Sequence, residues 1–248
     1  MARPLTVLAV GGLAISVVCL SLAGGFASDD PLTIGFPLGD HLGWRVIFGD
    51  RCTATPKGDA TATSRDFAWD GDDSVEIDIP ADVHYQPGPG RKVTVRGEPE
   101  TLRHVQVNDG TIEFDCDWKG GNAGMLDVTL PGRDMRSFAI NGSGHLFIEN
   151  IQQDQLRIGI HGSGDVRGNG QAERLDLTIA GSGNADFGQL SVKRLRVVIA
   201  GSGNADAAPQ EDADVVIAGS GEVHLHRQPK HLSQKVVGSG RVVTDTSI

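Results

Sequence analysis

Ile179-Ala180-Gly181-Ser182-Gly183-Asn184-Ala185 returns, residue for residue, as Ile199-Ala200-Gly201-Ser202-Gly203-Asn204-Ala205. The same tripeptide corner occurs six times: Gly142-Ser143-Gly144, Gly162-Ser163-Gly164, Gly181-Ser182-Gly183, Gly201-Ser202-Gly203, Gly219-Ser220-Gly221 and Gly238-Ser239-Gly240. The intervals are 20, 19, 20, 18 and 19 residues. So constant a period marks a repeat architecture, not merely a glycine-rich composition.

The flanks repeat as well. Two residues before each corner stand Ile140, Ile160, Ile179, Ile199, Ile217 and Val236, all β-branched, which suits a pleated strand. Two residues after it stand Leu146, Val166, Ala185, Ala205, Val223 and Val242, all apolar. Leu175, Leu177 and Ile179 alternate with Asp176 and Thr178, as Leu195, Val197 and Ile199 alternate with Arg196 and Val198. Period two means strand.

A coil of about 19 residues cannot bury its apolar face alone, but stacked on a neighbour at about 4.8 Å it can. Each inward Ile then rests on the Ile of the coils above and below. Glycine on both sides of the serine permits positive φ and close backbone approach at the corner. The six corners therefore read as a structural turn ladder, with serine hydroxyls available to local turn amides. The expected fold is all-β: a parallel β-helix, or β-solenoid, with a less regular N-terminal cap region. An antiparallel sandwich with hairpins at each corner is the alternative, and Asn184 and Asn204 would suit it. Hairpins, however, do not require the same face and residue type every 19 residues.

Upstream the pattern loosens. Val75-Glu76-Ile77-Asp78-Ile79-Pro80 alternates, Tyr85-Gln86-Pro87-Gly88-Pro89-Gly90 is a turn, and Val93-Thr94-Val95-Arg96-Gly97 is a strand. Residues 105–114 form a hairpin about Asn108-Asp109-Gly110, a type I′ signal. Residues 125–132 add a strand that enters the array.

The N-terminus reads as an export signal. Arg3 precedes a largely apolar run over residues 5–22, and Gly25-Phe26-Ala27 offers small residues at a cleavage site. An uncleaved membrane anchor is the competing reading, since the run is near bilayer length. The resulting organisation is signal peptide 1–27, an N-terminal arm or cap 28–66, and a β-helix domain 67–248. Removing the signal leaves Cys52 and Cys116, an even pair that suggests one disulfide in an exported chain. The net charge of −10 disfavours nucleic acid and anionic membrane surfaces as partners. Membrane contact is expected only through an uncleaved signal segment. The 34 glycines and 5% aromatic content suit tight turns and small aliphatic layers.

Trp69-Asp70-Gly71-Asp72-Asp73, Ile79-Pro80-Ala81-Asp82-Val83, Tyr85-Gln86-Pro87-Gly88 and Val105-Gln106-Val107-Asn108-Asp109-Gly110 resemble the bacterial GIN domain. The Ile-Ala-Gly-Ser-Gly-Asn-Ala runs resemble it most. This is a family of unknown function also labelled "putative auto-transporter adhesin, head", and the resemblance covers residues 67–243. It implies a β-helix-like fold and an envelope or surface location, and carries over no catalytic motif.

Residue by residue, chemistry is sparse. Asp186 and Asp206 occupy equivalent places in adjacent coils, about 5 Å apart if stacked, a separation usable by paired carboxylates. The repetition of the coil accounts for the pair without catalysis. Asp70, Asp72 and Asp73 around Gly71 offer oxygen ligands but lack a full calcium-loop pattern. Likewise, Asp165-Val166-Arg167-Gly168-Asn169-Gly170 is only loosely similar to calcium-binding nonapeptides. His224-Leu225-His226 places two imidazoles on one strand face, with His231 nearby; two such ligands could bind zinc, but no partnering Cys or supporting outer group is evident in the sequence. No catalytic, cofactor-binding or metal residue is therefore assigned, and no cofactor is expected.

The expectation is an exported protein, periplasmic or at the cell surface. It is read as a non-enzymatic structural or adhesin-like binding module whose partner is an envelope or surface protein or glycan, with Asp176, Thr178, Arg196 and Val198 on its outer face. A carbohydrate-active β-helix enzyme is one alternative. A self-associating envelope element, through Val198 and Val216, is another. The oligomeric state stays open.

Overall fold

The computed structural model describes residues 61–69, 71–116, 125–132 and 134–245, all within the compact unit Gly49–Ile248. The signal segment, Cys52, Asp70 and all but the last residues of the proposed arm lie outside the described residues. No helix among the described residues is long and apolar enough to cross a membrane.

The chain is a β-solenoid of about six turns, with coils of roughly 19 residues. Its N-terminal layers comprise β1 (Ser64–Ala68), β2 (Ser74–Ile77), β3 (Ala81–Tyr85), β4 (Lys92–Arg96), the one-turn helix α1 (Pro99–Leu102), β5 (Val105–Asn108), β6 (Thr111–Phe114) and β7 (Leu126–Thr129). The repeat array follows as β8 (Ser137–Gly142), β9 (His145–Gly162), β10 (Asp165–Gly181), β11 (Asn184–Gly201), β12 (Asn204–Gly219), β13 (Glu222–Leu225), β14 (His231–Gly238) and β15 (Arg241–Thr244).

Every pairing within the array is parallel, so no corner is a hairpin. Ile140, Ile160, Ile179, Ile199, Ile217 and Val236 are successive register partners, as are Gly142, Gly162, Gly181, Gly201, Gly219 and Gly238. The corners thus lie above one another along one edge. Unequal coil lengths are absorbed elsewhere, in register shifts such as that between Phe187 and Ser191 of β11.

The two glycines of a corner act differently. The first takes the left-handed conformation, with φ of 137° at Gly201, which side chains avoid. The second, Gly203, is buried against the coil before it. A Cβ there would lie 2.3 Å from the Gly183 carbonyl oxygen and 2.6 Å from Ile179 Cγ2. The serine amide between them donates to that same preceding coil, Ser202 N to Gly181 O at 2.8 Å and Ser182 N to Gly162 O at 2.8 Å. Backbone carbonyls, not serine hydroxyls, satisfy the corner amides, and the serines stand exposed.

The interior alternates small and large residues between coils. Gly168 leaves room for the ring of Phe187 in the next coil, where a Cβ would sit 2.4 Å from Phe187 Cε1. Ala207 and then Leu225 follow in the same column. In the first coil β2 and β3 stack beneath β8 and β9, pairing Ile77 with Ile140 and Asp82 with His145. Ile79-Pro80-Ala81 therefore occupies the place of a corner, and the alternating run ends as a strand at Ile77. The hairpin of β5 and β6 pairs Asn108 with Thr111, with positive φ at both Asp109 and Gly110, as a type I′ turn requires. Antiparallel β1, β4 and β7 and the short α1 complete the N-terminal cover.

Candidate functional site

The corner separates two outward surfaces. Ahead of it, Arg157, Asp176, Arg196 and Asp214 are successive partners. Opposite charges therefore alternate coil by coil, each pairing favourable where like charges would be unfavourable. Beside them run Thr178, Val198 and Val216. This surface is regular and charge-compensated.

Beyond the corner, a polar ladder ties the coils together. Asn184 Nδ2 donates to Asp165 Oδ1 at 2.8 Å, Asn204 Nδ2 to Asn184 Oδ1 at 3.1 Å, and the Glu222 amide to Asn204 Oδ1 at 3.1 Å. An Arg241–Glu222 ion pair closes it. The asparagines thus serve stacking rather than hairpins. The next outward column is His84, Phe147, Arg167, Asp186, Asp206, His224 and Val243. Here the residue changes at nearly every coil. His84 and Phe147 stack with ring centroids 5.0 Å apart beside a shallow cavity of about 520 Å³ that Tyr85 and Leu130 also line. A smaller depression borders Arg167, Asn169 and Asp186.

At the far end of this column side chains from three coils converge. His224 Nδ1 lies 3.4 Å and His226 Nε2 3.1 Å from Asp206 Oδ1. On the opposite ring edges, His224 Nε2 lies 2.8 Å from Asp245 Oδ1 and His226 Nδ1 3.4 Å from Asp245 Oδ2. The ring centroids are 4.3 Å apart. The backbone fixes both flanks: the His226 amide donates to Ala207 O and the Asp245 amide to Leu225 O, each at 2.9 Å. The Asp245 hydrogen bond raises the pKa of His224, and the His224 contact lowers that of Asp245.

The other sequence-marked residues fall out as follows. Asp186 and Asp206 are register partners; Asp186 accepts the Gly188 amide at 3.2 Å, while Asp206 faces the two imidazoles. The Asp72 carbonyl accepts the Trp69 indole, and the Asp73 carbonyl accepts the Arg136 and Ser137 amides, making this segment a structural turn. The Asn169 side chain accepts the Asn150 amide. His231 opens β14 beside Asp212, away from the histidine pair. Cys116 is disulfide-bonded; its thiol is thereby removed as a ligand beside His104 and Asp115, whose side chains bond at 2.9 Å. Sequence reading missed Asp206 and Asp245 as companions of His224 and His226. The available signal was the coil period: Asp206 precedes His224 by 18 residues and Asp245 follows it by 21.

The sequence model of a family described as "Putative auto-transporter adhesin, head GIN domain" matches residues 73–243. No curated protein matches the sequence. Among solved structures, a putative adhesin from Bacteroides fragilis is similar at 19% identity and TM-score 0.60, covering 73% of this chain and 96% of that one. This similarity shows the same fold. A putative lipid binding protein from Parabacteroides distasonis aligns at 18% identity and TM-score 0.44, covering 79% of this chain and 99% of that one.

Proposed function

The chain belongs to the GIN-domain family, and from that premise we propose that it is an exported, non-enzymatic binding module of the cell envelope. It engages a surface protein or glycan through repeated, individually weak contacts. One observation carries the reading: the outward positions of Asp176, Thr178, Arg196 and Val198 recur in strict parallel register on consecutive coils, with charge alternating along the first column. A partner with its own repeat can meet a like charge on every second coil, about 9.6 Å apart. Linked weak contacts then sum to an avidity that no single contact supplies.

The test is binding of the purified, processed chain to intact envelopes, followed by glycan arrays and protein pull-down to separate the two partner classes. Binding that falls at least tenfold in a Val198→Asp/Val216→Asp double variant with an unchanged circular dichroism spectrum supports the reading. Absence of binding to any envelope fraction overturns it.

A further inference from the structure

We propose that Asp206, His224 and His226 form a binding site for a divalent transition-metal ion, zinc being the best match. Asp245 acts as the positioning carboxylate that orients both rings. The three ligand groups can place one atom each within 4.8 Å of one another. A zinc ion in tetrahedral coordination, with ligands at about 2.0–2.1 Å, sets neighbouring ligand atoms roughly 3.3 Å apart. The Asp206 Oδ1 distances of 3.4 Å to His224 Nδ1 and 3.1 Å to His226 Nε2 bracket that value.

The outer contacts select the tautomers that ligation needs. Asp245 lies at His224 Nε2 and His226 Nδ1, so a proton on each of those nitrogens is hydrogen-bonded. The lone pairs are then left on the nitrogens that face Asp206. A carboxylate behind each ligating imidazole is the usual companion of a metal-bound histidine. Space is also kept open. A Cβ on Gly188 would lie 3.2 Å from His226 Nε2, so any larger residue would fill the approach to that atom. Two nitrogens and one carboxylate oxygen suit zinc, with water completing the shell, better than they suit calcium or magnesium. The ligands come from consecutive coils, β12 and β13, and their orienting carboxylate from the residue just after β15. The bound ion therefore pins the last coils to the array.

The proposal is tested on the whole processed chain with zinc chloride by titration calorimetry. Visible spectroscopy of the cobalt-substituted protein reads the geometry. One equivalent of zinc is expected, with cobalt showing the intense ligand-field bands of a tetrahedral site. His226→Ala and His224→Ala should abolish the bands, and Asp245→Asn should weaken zinc binding about 10–100-fold. Zinc should also slow hydrogen exchange in β13 and β15 while leaving β9 unchanged. A wild-type chain that takes up no zinc overturns the proposal, as does binding that survives unchanged in His226→Ala. None of these readouts depends on envelope binding, so the two proposals fail separately.

Discussion

Ile77 and Val236 occupy the same inward column at opposite ends of the array. Ile77 is 0% exposed and Val236 is 38% exposed. The cause is what lies beyond each. Ile112 and Leu126 pack under the first coil and are themselves buried. At the other end β14 pairs only with β12, and β15 only with β13. Among the described residues nothing covers Leu232, Val236, Val237 or Val243. A solenoid coil gains its stability from two neighbours; the last coil has one. The polar features of the molecule follow this asymmetry, since the histidine–aspartate cluster sits at the end that lacks an apolar cover.

The largest effect should come from cutting the array between its ends. Gly203→Val would drive a branched side chain into the Gly183 carbonyl and Ile179, neither of which can retreat without breaking the register. A cost above about 3 kcal/mol is expected, beyond ordinary overpacking because backbone is struck. Because each coil touches only its neighbours, the two halves should respond unequally. Hydrogen exchange should stay slow from β2 to β10 and become fast from β12 to β15. Uniform loss of protection would show instead that the two ends unfold as one unit.

A matched pair of truncations measures the difference between the ends directly. Ile77→Ala removes fully buried methyl groups and should cost about 2–5 kcal/mol. Val236→Ala, in the same column, leaves no closed cavity and should cost less than about 1 kcal/mol. Denaturant midpoints of the two variants give the comparison. Equal losses would mean that the last coil is covered in solution.

The repeated half of the fold was legible because its strongest constraint is local. A corner that needs glycine at both ends writes itself into the sequence at every turn, and the Ile beside it marks the inward face. The first coil was harder to read, since Ile79-Pro80-Ala81 turns the same corner without glycine. The ligand cluster was half legible: His224 and His226 share a face by strand periodicity alone, but Asp206 and Asp245 reach them only through register. Register becomes readable once the 18- to 20-residue period is used as a ruler for polar residues as well as apolar ones. The alternating column of Arg157, Asp176, Arg196 and Asp214 shows the same lesson: opposite charges one period apart are register neighbours, whatever their distance in sequence.

The smallest effect concerns charge at the covered end. The Asn141 amide bridges the carboxylates of Glu76 and Asp78, 2.7 Å and 2.5 Å away. Among the described residues no cation joins them as the imidazoles join Asp206 and Asp245. Loss of hydration raises the Asp78 pKa above its usual 3.8, with Glu76 and Glu113 adding to the rise and the Asn141 hydrogen bond opposing it. A carboxyl that holds its proton more tightly in the folded state contributes stability below about pH 3.8, and that contribution is lost as pH rises through the folded value. At neutral pH the ionised Asp78 is thus a small liability, kept small because the side chain, though partly stripped of hydration, still reaches solvent that screens it. Asp78→Asn retains an acceptor for Asn141 and removes the charge. It should raise the unfolding free energy at neutral pH by less than about 1 kcal/mol and flatten the stability profile from about pH 4 upward. A variant that is less stable than wild type at neutral pH would mean that the carboxylate is favourably paired after all, and that the covered end is held by charge as the open end is.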